Sequence, residues 1–360
     1  VVAVVLMWPG GEGESTEASP RQEQPPPSRA GVVAGPDDSA DPGQTPHLSP
    51  PAQLPEGSSG VTIVIPGQDN TAESSRQADA GRTDAATTGR PAAISDKALA
   101  KLYADGQAAL NAGELVKARA LLSKAYFSGK LPADRQRALI ADLTTISEAT
   151  LIGAKTIFPG DTLVESYQVK PGDVLIRIER SKKLRVPYQL LVRVNSLRDA
   201  GSLRAGQKIK LVRGPFHAIV DKSEFAMDIY TNDADGNRIF VRRLPVGLGA
   251  SGKTPPGMWR VTNKLTRPVY NPAPNSPLRE RGAIRYGEPD YAFGKTGLWI
   301  GLEGMDAANA DEQGYGIHST DKPESIGKAE SEGCIRMGDD DVQLVYALLY
   351  ESFSTVEIRE

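Results

Sequence analysis

Residues 315–337 read YGIHSTDKPESIGKAESEGCIRM and hold the chain's single cysteine, Cys334, with one of its three histidines, His318. A free thiol is only a few per cent ionised near neutral pH, so a cysteine nucleophile needs a base beside it. Between the two lie turn formers, Ser319, Asp321, Pro323, Ser325 and Gly327, which let the chain leave a strand after His318 and return Cys334 beside it. Gly333, just before the cysteine, allows close backbone approach to a substrate. The pair alone leaves a second interpretation open, a buried structural cysteine with an unrelated histidine. The other histidines stand apart: His47 in a Pro-rich tail, His217 at the start of an apolar strand.

The wider stretch resembles the active-site motif of the L,D-transpeptidases of bacterial cell walls, the YkuD-type catalytic domain. Gly316-Ile317-His318-Ser319-Thr320 and Ser331-Glu332-Gly333-Cys334-Ile335-Arg336-Met337 carry the likeness, which covers roughly residues 214–360. Two positions depart from the pattern: Ser319 stands where glycine is common, and Glu332 where a second histidine is usual.

The resemblance implies Cys334 as nucleophile, His318 as its base, and the Ser319 carbonyl as the group orienting the imidazole. Amides around Gly333 and Cys334 are expected as oxyanion donors. Arg336 is expected to hold a substrate carboxylate or to act as a salt-bridge partner, and Glu332, Ser331 and Tyr315 complete the candidate substrate contacts. A carboxylate at Glu332, ~6 Å from the thiol, would cost thiolate formation roughly 3 kcal/mol at an effective dielectric of about 20. Pairing with Arg336, or attraction of an incoming ammonium, would offset it. The implied reaction is a thioester with a tetrapeptide stem, resolved by an amine. Resolution by water would make a carboxypeptidase, and a catalytically weak peptidoglycan-binding scaffold is the other alternative. Papain-like and NlpC-type peptidases place cysteine before histidine, the reverse of the order here.

A length of 360 residues allows two or three domains, and a formal net charge of −3 gives no sign of a nucleic-acid partner. A lone cysteine excludes an intramolecular disulfide and suits an oxidising envelope, where a second thiol would risk an unwanted bridge. The sequence carries no metal-ligand cluster and no phosphate-cradling glycine loop, so no cofactor is expected.

Residues 1–93 are expected to be an anchor remnant and a disordered tether. The run VVAVVLMW at 1–8 is too short to span a bilayer and reads as the end of a signal or membrane anchor, or as a stray apolar terminus. The Pro-, Gly-, Ser- and Gln-rich residues 9–93 cannot bury enough apolar surface to offset ordering entropy, apart from GVTIVIPG at 60–67, a β-prone run able to pair with another strand. Residues 94–155 show helical periodicity: Leu99, Leu102, Tyr103 and Leu110 on one face, Gly106 as a point of close helix approach, Gly113 as a break. The middle resembles one tetratricopeptide unit, read as scaffold or as a peptide-recognition element.

Residues 162–213 resemble a LysM module of βααβ form, with Tyr167-Gln168-Val169-Lys170-Pro171-Gly172-Asp173, Asn195 and Leu203-Arg204-Ala205-Gly206-Gln207. Helices are expected over 174–180 and 187–194, with Asp173 capping the first. The resemblance implies binding of N-acetylglucosamine-containing strands of peptidoglycan; the alternative is a spacer against the catalytic part. From residue 214 the pattern turns to β, with a hairpin tip at 233–237, a Gly-rich turn carrying Thr254-Pro255, a long loop over 271–290 expected as lid or substrate loop, and a C-terminal helix at 339–351. The expected fold is a multidomain chain whose catalytic part is a mostly β sandwich or open barrel carrying that helix. It is expected in the cell envelope, periplasmic or extracytoplasmic, and separable from the LysM module at residue 214.

Overall fold

The computed structural model describes residues 63–64, 94–153, 155–272 and 276–360. The expected anchor at 1–8 and the tether lie outside the described residues, except for β1 (Ile63–Val64), which pairs in parallel with Tyr270 and Asn271.

Three helices follow: α1 (Asp96–Asn111), α2 (Leu115–Tyr126) and α3 (Ala133–Ser147). Ser95 caps the first, its side chain accepting from the Ala98 N–H. A Cβ at Gly106 would come within 2.5 Å of Leu122 Cδ2, so the small residue lets α1 and α2 close on each other. Gly113 ends the first helix at φ +75°, a conformation glycine adopts without a Cβ penalty.

The next module is β2 (Val164–Gln168), α4 (Leu175–Lys182), α5 (Tyr188–Val194) and β3 (Lys208–Val212), with β2 and β3 antiparallel. This is the βααβ order expected. Asp173 does not cap α4. Its carboxylate instead accepts from the Lys170 N–H and the Tyr167 hydroxyl, closing the turn ahead of the helix.

The C-terminal part is built from β4 (Phe216–Asp221), β5 (Ala226–Asn232), β6 (Arg238–Pro245), β7 (Leu248–Gly249), β8 (Gly257–Thr266), β9 (Tyr270–Asn271), β10 (Leu298–Gly304), β11 (Gly316–Ser319), β12 (Ala329–Ser331), β13 (Ile335–Met337), α6 (Asp339–Leu348) and β14 (Thr355–Arg359). Eight of these strands form one mixed sheet in the order β13-β11-β10-β8-β14-β4-β5-β6. Its two ends approach each other: Gly247, just past β6, exchanges two 2.8 Å backbone hydrogen bonds with Arg336 of β13. The sheet is therefore curled into an open barrel, not split into a sandwich. Helix α6 buries Val342, Val345 and Leu348 against the sheet and ends three residues earlier than the periodicity predicts.

The helical segment and the LysM-like module pack on this sheet. Tyr126 and Phe240 meet edge to face, the Ser123 hydroxyl accepts from the Phe240 N–H, and the Tyr126 hydroxyl donates to Asp228, which also pairs with Arg243. Leu184, Val186 and Val212 share a core with Phe216 and Val220. Arg119 of α2 forms a fully buried pair with Asp161, and Lys210 of β3 donates to the Thr150 carbonyl. These contacts tie the helices, the linker and β3 together.

Candidate active site

Strand register sets the site. The parallel pair β11 and β13 aligns Ile317 with Ile335 and His318 with Arg336. Side chains alternate between faces, so Ile317, Ile335 and Met337 enter the main core, while His318, Cys334 and Arg336 share the other face. On that face the His318 ring stacks on Trp299 at 5.7 Å and meets Phe293 edge-on at 5.0 Å. Cys334 packs in the same apolar cluster as Trp299 and Phe293, with Tyr270, Ile284 and Tyr291. Four of these residues, Tyr270, Ile284, Tyr291 and Phe293, come from the segment between β8 and β10 that contains the loop predicted to be a lid. That segment covers the thiol, and Cys334 and His318 are each only 3% exposed.

The turn ahead of Cys334 is held by side chains. Ser331 Oγ donates to the Cys334 carbonyl at 2.7 Å and accepts from the Gly333 N–H at 3.1 Å. Thr254, from the Gly-rich turn, donates to the Gly333 carbonyl at 2.8 Å and accepts from the Gly249 N–H. Gly333 sits at φ +132°, which only glycine adopts readily, and a Cβ on Gly249 would press on its Cα. The Gly333 amide is thus committed to Ser331, and of the two amides expected as oxyanion donors only that of Cys334 stays outside this turn network.

His318 Nδ1 lies 2.5 Å from the Ser319 carbonyl. As the donor of that bond, Nδ1 leaves Nε2 as the acceptor nitrogen. Burial lowers the His318 pKa to about 4, against the raising effect of the Ser319 hydrogen bond and with a further lowering from Arg336. Burial likewise pushes the Cys334 thiol up to about 12, opposed by the Gly316 amide and Arg336 and aided by Glu332. The sulfur lies 3.6 Å from the Gly314 carbonyl. The closed site thus holds a neutral thiol and a neutral imidazole.

The remaining predicted residues divide. Arg336 makes no ion pair among the described residues, and its charge acts on both His318 and Cys334. Glu332 pairs with Lys253 at 3.3 Å and not with Arg336, because its partly exposed side chain points to the Gly-rich turn. Tyr315 is buried with its ring on Trp259, so it sits in the core and not on an open substrate surface. Sequence reasoning passed over Thr254, Trp299, Phe293 and Asp339. Only the Thr254-Pro255 pair carried a local signal. Among the described residues no group of His, Cys, Asp and Glu is arranged to hold a metal ion.

Comparison with known proteins follows the same division of the chain. Residues 215–358 match the family model of the L,D-transpeptidase catalytic domain, YkuD, and residues 167–212 match that of the LysM domain. "Putative L,D-transpeptidase YqjB" of Bacillus subtilis is 40% identical over 97 residues, 26% of this chain and 47% of that protein, so the chain spans under half of that relative. "Putative L,D-transpeptidase YkuD" of Bacillus licheniformis is 31% identical over 165 residues, 44% of this chain and 78% of that protein. A solved L,D-transpeptidase from Mycobacterium smegmatis aligns at 16% identity over 43% of this chain and 64% of its own, with a TM-score of 0.30, too low to add to the fold described above. With nearly four-fifths of the Bacillus licheniformis relative covered at that identity, and the cysteine motif inside the matched region, the chain belongs to the L,D-transpeptidase family.

Proposed function

We propose that the chain is a peptidoglycan L,D-transpeptidase of the cell envelope that acts through Cys334 and His318. The observation that supports this is the shared face of β11 and β13, where the buried thiol and imidazole both lie against Trp299 and Phe293, with the Ser319 carbonyl on Nδ1. His318 Nε2 takes the thiol proton as sulfur attacks the carbonyl of the third, diamino acid residue of a tetrapeptide stem. The C–S bond forms, the peptide C–N bond to the terminal D-alanine breaks, and the proton passes from His318 to the departing amine. An acceptor amine then attacks the thioester, losing its proton to His318; the C–N bond of the cross-link forms, the C–S bond breaks, and the leaving sulfur takes the proton back from His318, restoring the neutral pair. The Cys334 amide is the oxyanion donor, with Arg336 on the substrate carboxylate.

Starting from a neutral pair has a consequence. With His318 at about 4 and Cys334 at about 12, no thiolate stands ready, so proton transfer accompanies attack and depends on the lid excluding water. The LysM-like module keeps Val174, Ile176 and Tyr188 exposed, an apolar surface suited to the faces of sugar rings. Its role is to hold the enzyme on glycan strands. The Val174→Asp, Ile176→Asp double variant should co-sediment less with insoluble sacculi while keeping turnover of soluble stems.

The test is product analysis by mass spectrometry after incubation with a disaccharide tetrapeptide and an amine acceptor. Cross-linked dimer is the expected product. Shortened monomer alone would make the chain a carboxypeptidase, and unchanged substrate would leave a binding protein.

A further inference from the structure

We propose that Ser319 and Asp339 form a latch that positions His318, with Asp339 acting through Ser319. The inference rests on the Cys334–His318 reading above.

Ser319 is the last residue of β11, and its carbonyl is the acceptor for His318 Nδ1. Alternation along the strand turns its side chain to the face opposite His318, toward α6. There the fully buried hydroxyl donates to Asp339 Oδ1 at the first position of α6. The space around it is filled. Gly294, on the segment that covers the thiol, stands at φ +60°, and a Cβ there would collide with Ser319 Oγ and with the Thr320 backbone. The hydroxyl is thus held between a helix start and a glycine with no side chain.

Two hydrogen bonds therefore leave one residue in opposite directions. The hydroxyl fixes the strand end to α6, and the carbonyl of the same residue fixes the imidazole tautomer and aims Nε2. Loss of the first frees the peptide plane that makes the second. The serine at a position where glycine is common thereby gains a specific role: glycine would supply the carbonyl but not the tether. Asp339 also lines a cleft of about 570 Å³ with Tyr286, Asp290, Thr320 and Asp321, so the carboxylate end of the latch borders open space while the hydroxyl end stays buried.

The experiment uses the full chain and follows single-turnover thioester formation on Cys334 by intact mass, giving the maximal rate and the half-saturating donor concentration. Thermal denaturation runs in parallel. Ser319→Ala and Asp339→Ala should each lower the maximal rate about tenfold, as expected for a misaligned base, with half-saturation unchanged within about twofold. Asp339→Asn keeps an acceptor oxygen and should restore most of the rate. The double alanine variant should be no slower than either single variant, since both remove one unit. Independent, multiplicative losses would overturn the latch. So would wild-type rates in the single variants, or a loss that follows melting temperature and is not rescued by Asn. Cys334→Ser and His318→Ala separate the two claims. If either still forms an acyl adduct at the wild-type rate, the underlying reading fails; if both abolish it while the latch variants behave as wild type, only the latch fails.

Discussion

The two ends of the curled sheet are supported by different means. At the β6 end, an eight-residue strand is backed by helices from over a hundred residues earlier in the chain: Tyr126 and Phe127 pack on Phe240 and Tyr230, and Asp228 is shared by Tyr126 and Arg243. At the β13 end, a three-residue strand is held by hydroxyls, those of Ser331, Thr254 and Ser319, and by the paired amides of Gly247 and Arg336. Buried apolar area with buried charge makes a bracket that resists deformation. Short polar ties specify geometry at little cost in stability, and they suit the end of the sheet where the chemistry is proposed. Substitutions at the β6 end should therefore change stability more than rate, and those at the β13 end rate more than stability.

The largest effect expected is for Arg119→Ala. It leaves Asp161 buried without its partner, a loss of about 3–5 kcal/mol. Denaturant unfolding checks the size, and the thioester rate per folded molecule should hardly change. Next comes Tyr126→Phe, which removes one donor from Asp228 and should cost about 1–3 kcal/mol, again with the rate preserved. A slowed reaction in either variant would mean that the helices reach the site through the sheet.

At the other end, Ser331→Ala removes an acceptor and a donor from the turn ahead of Cys334. Its stability cost should be about 1 kcal/mol, while thioester formation falls by about an order of magnitude. Equal effects on both would erase the contrast between the two ends.

Thiol alkylation against pH sharpens the same point. A Cys334 pKa of about 12 means that the thiolate fraction keeps rising with pH, about tenfold per unit, throughout the neutral range. Iodoacetamide inactivation should follow that slope without a plateau below about pH 11; a plateau from mildly acidic pH would signal a preformed thiolate–imidazolium pair. Catalysis itself should fall on the acid side only near pH 4, where His318 gains its proton and ceases to be a base.

The smallest effect belongs to Glu332→Gln. The carboxylate is partly exposed and already paired with Lys253, so its repulsion of the thiolate is screened. Its removal should speed alkylation only a few-fold, well below the roughly 3 kcal/mol expected of an unpaired charge at ~6 Å.

What was legible in the sequence was local. The cysteine and histidine motifs, the βααβ module, the helix break at Gly113 and the close approach at Gly106 all follow from residue type and spacing over short distances. The illegible parts depend on partners brought together by the sheet. Nothing near Glu332 announces Lys253, 79 residues away, and nothing near Ser319 singles out Asp339 among three successive aspartates. Separability at residue 214 was expected because the LysM-like motif ends there. The structure adds contacts across that boundary that the motifs do not announce: Phe240 lies among the helical residues and Phe216 in one core with the LysM-like module. A chain beginning at 214 would expose both contacts and should lose solubility and melting temperature.

The claim on which all of this depends is that Cys334 is acylated by the donor stem with His318 as base. Intact-mass measurement after mixing with a tetrapeptide stem and quenching in acid tests it directly. The wild-type chain should gain one acyl mass, mapped to Cys334, and Cys334→Ser should gain none. An equal adduct on the serine variant, or no adduct on the wild-type chain while cross-linked product accumulates, would contradict the account.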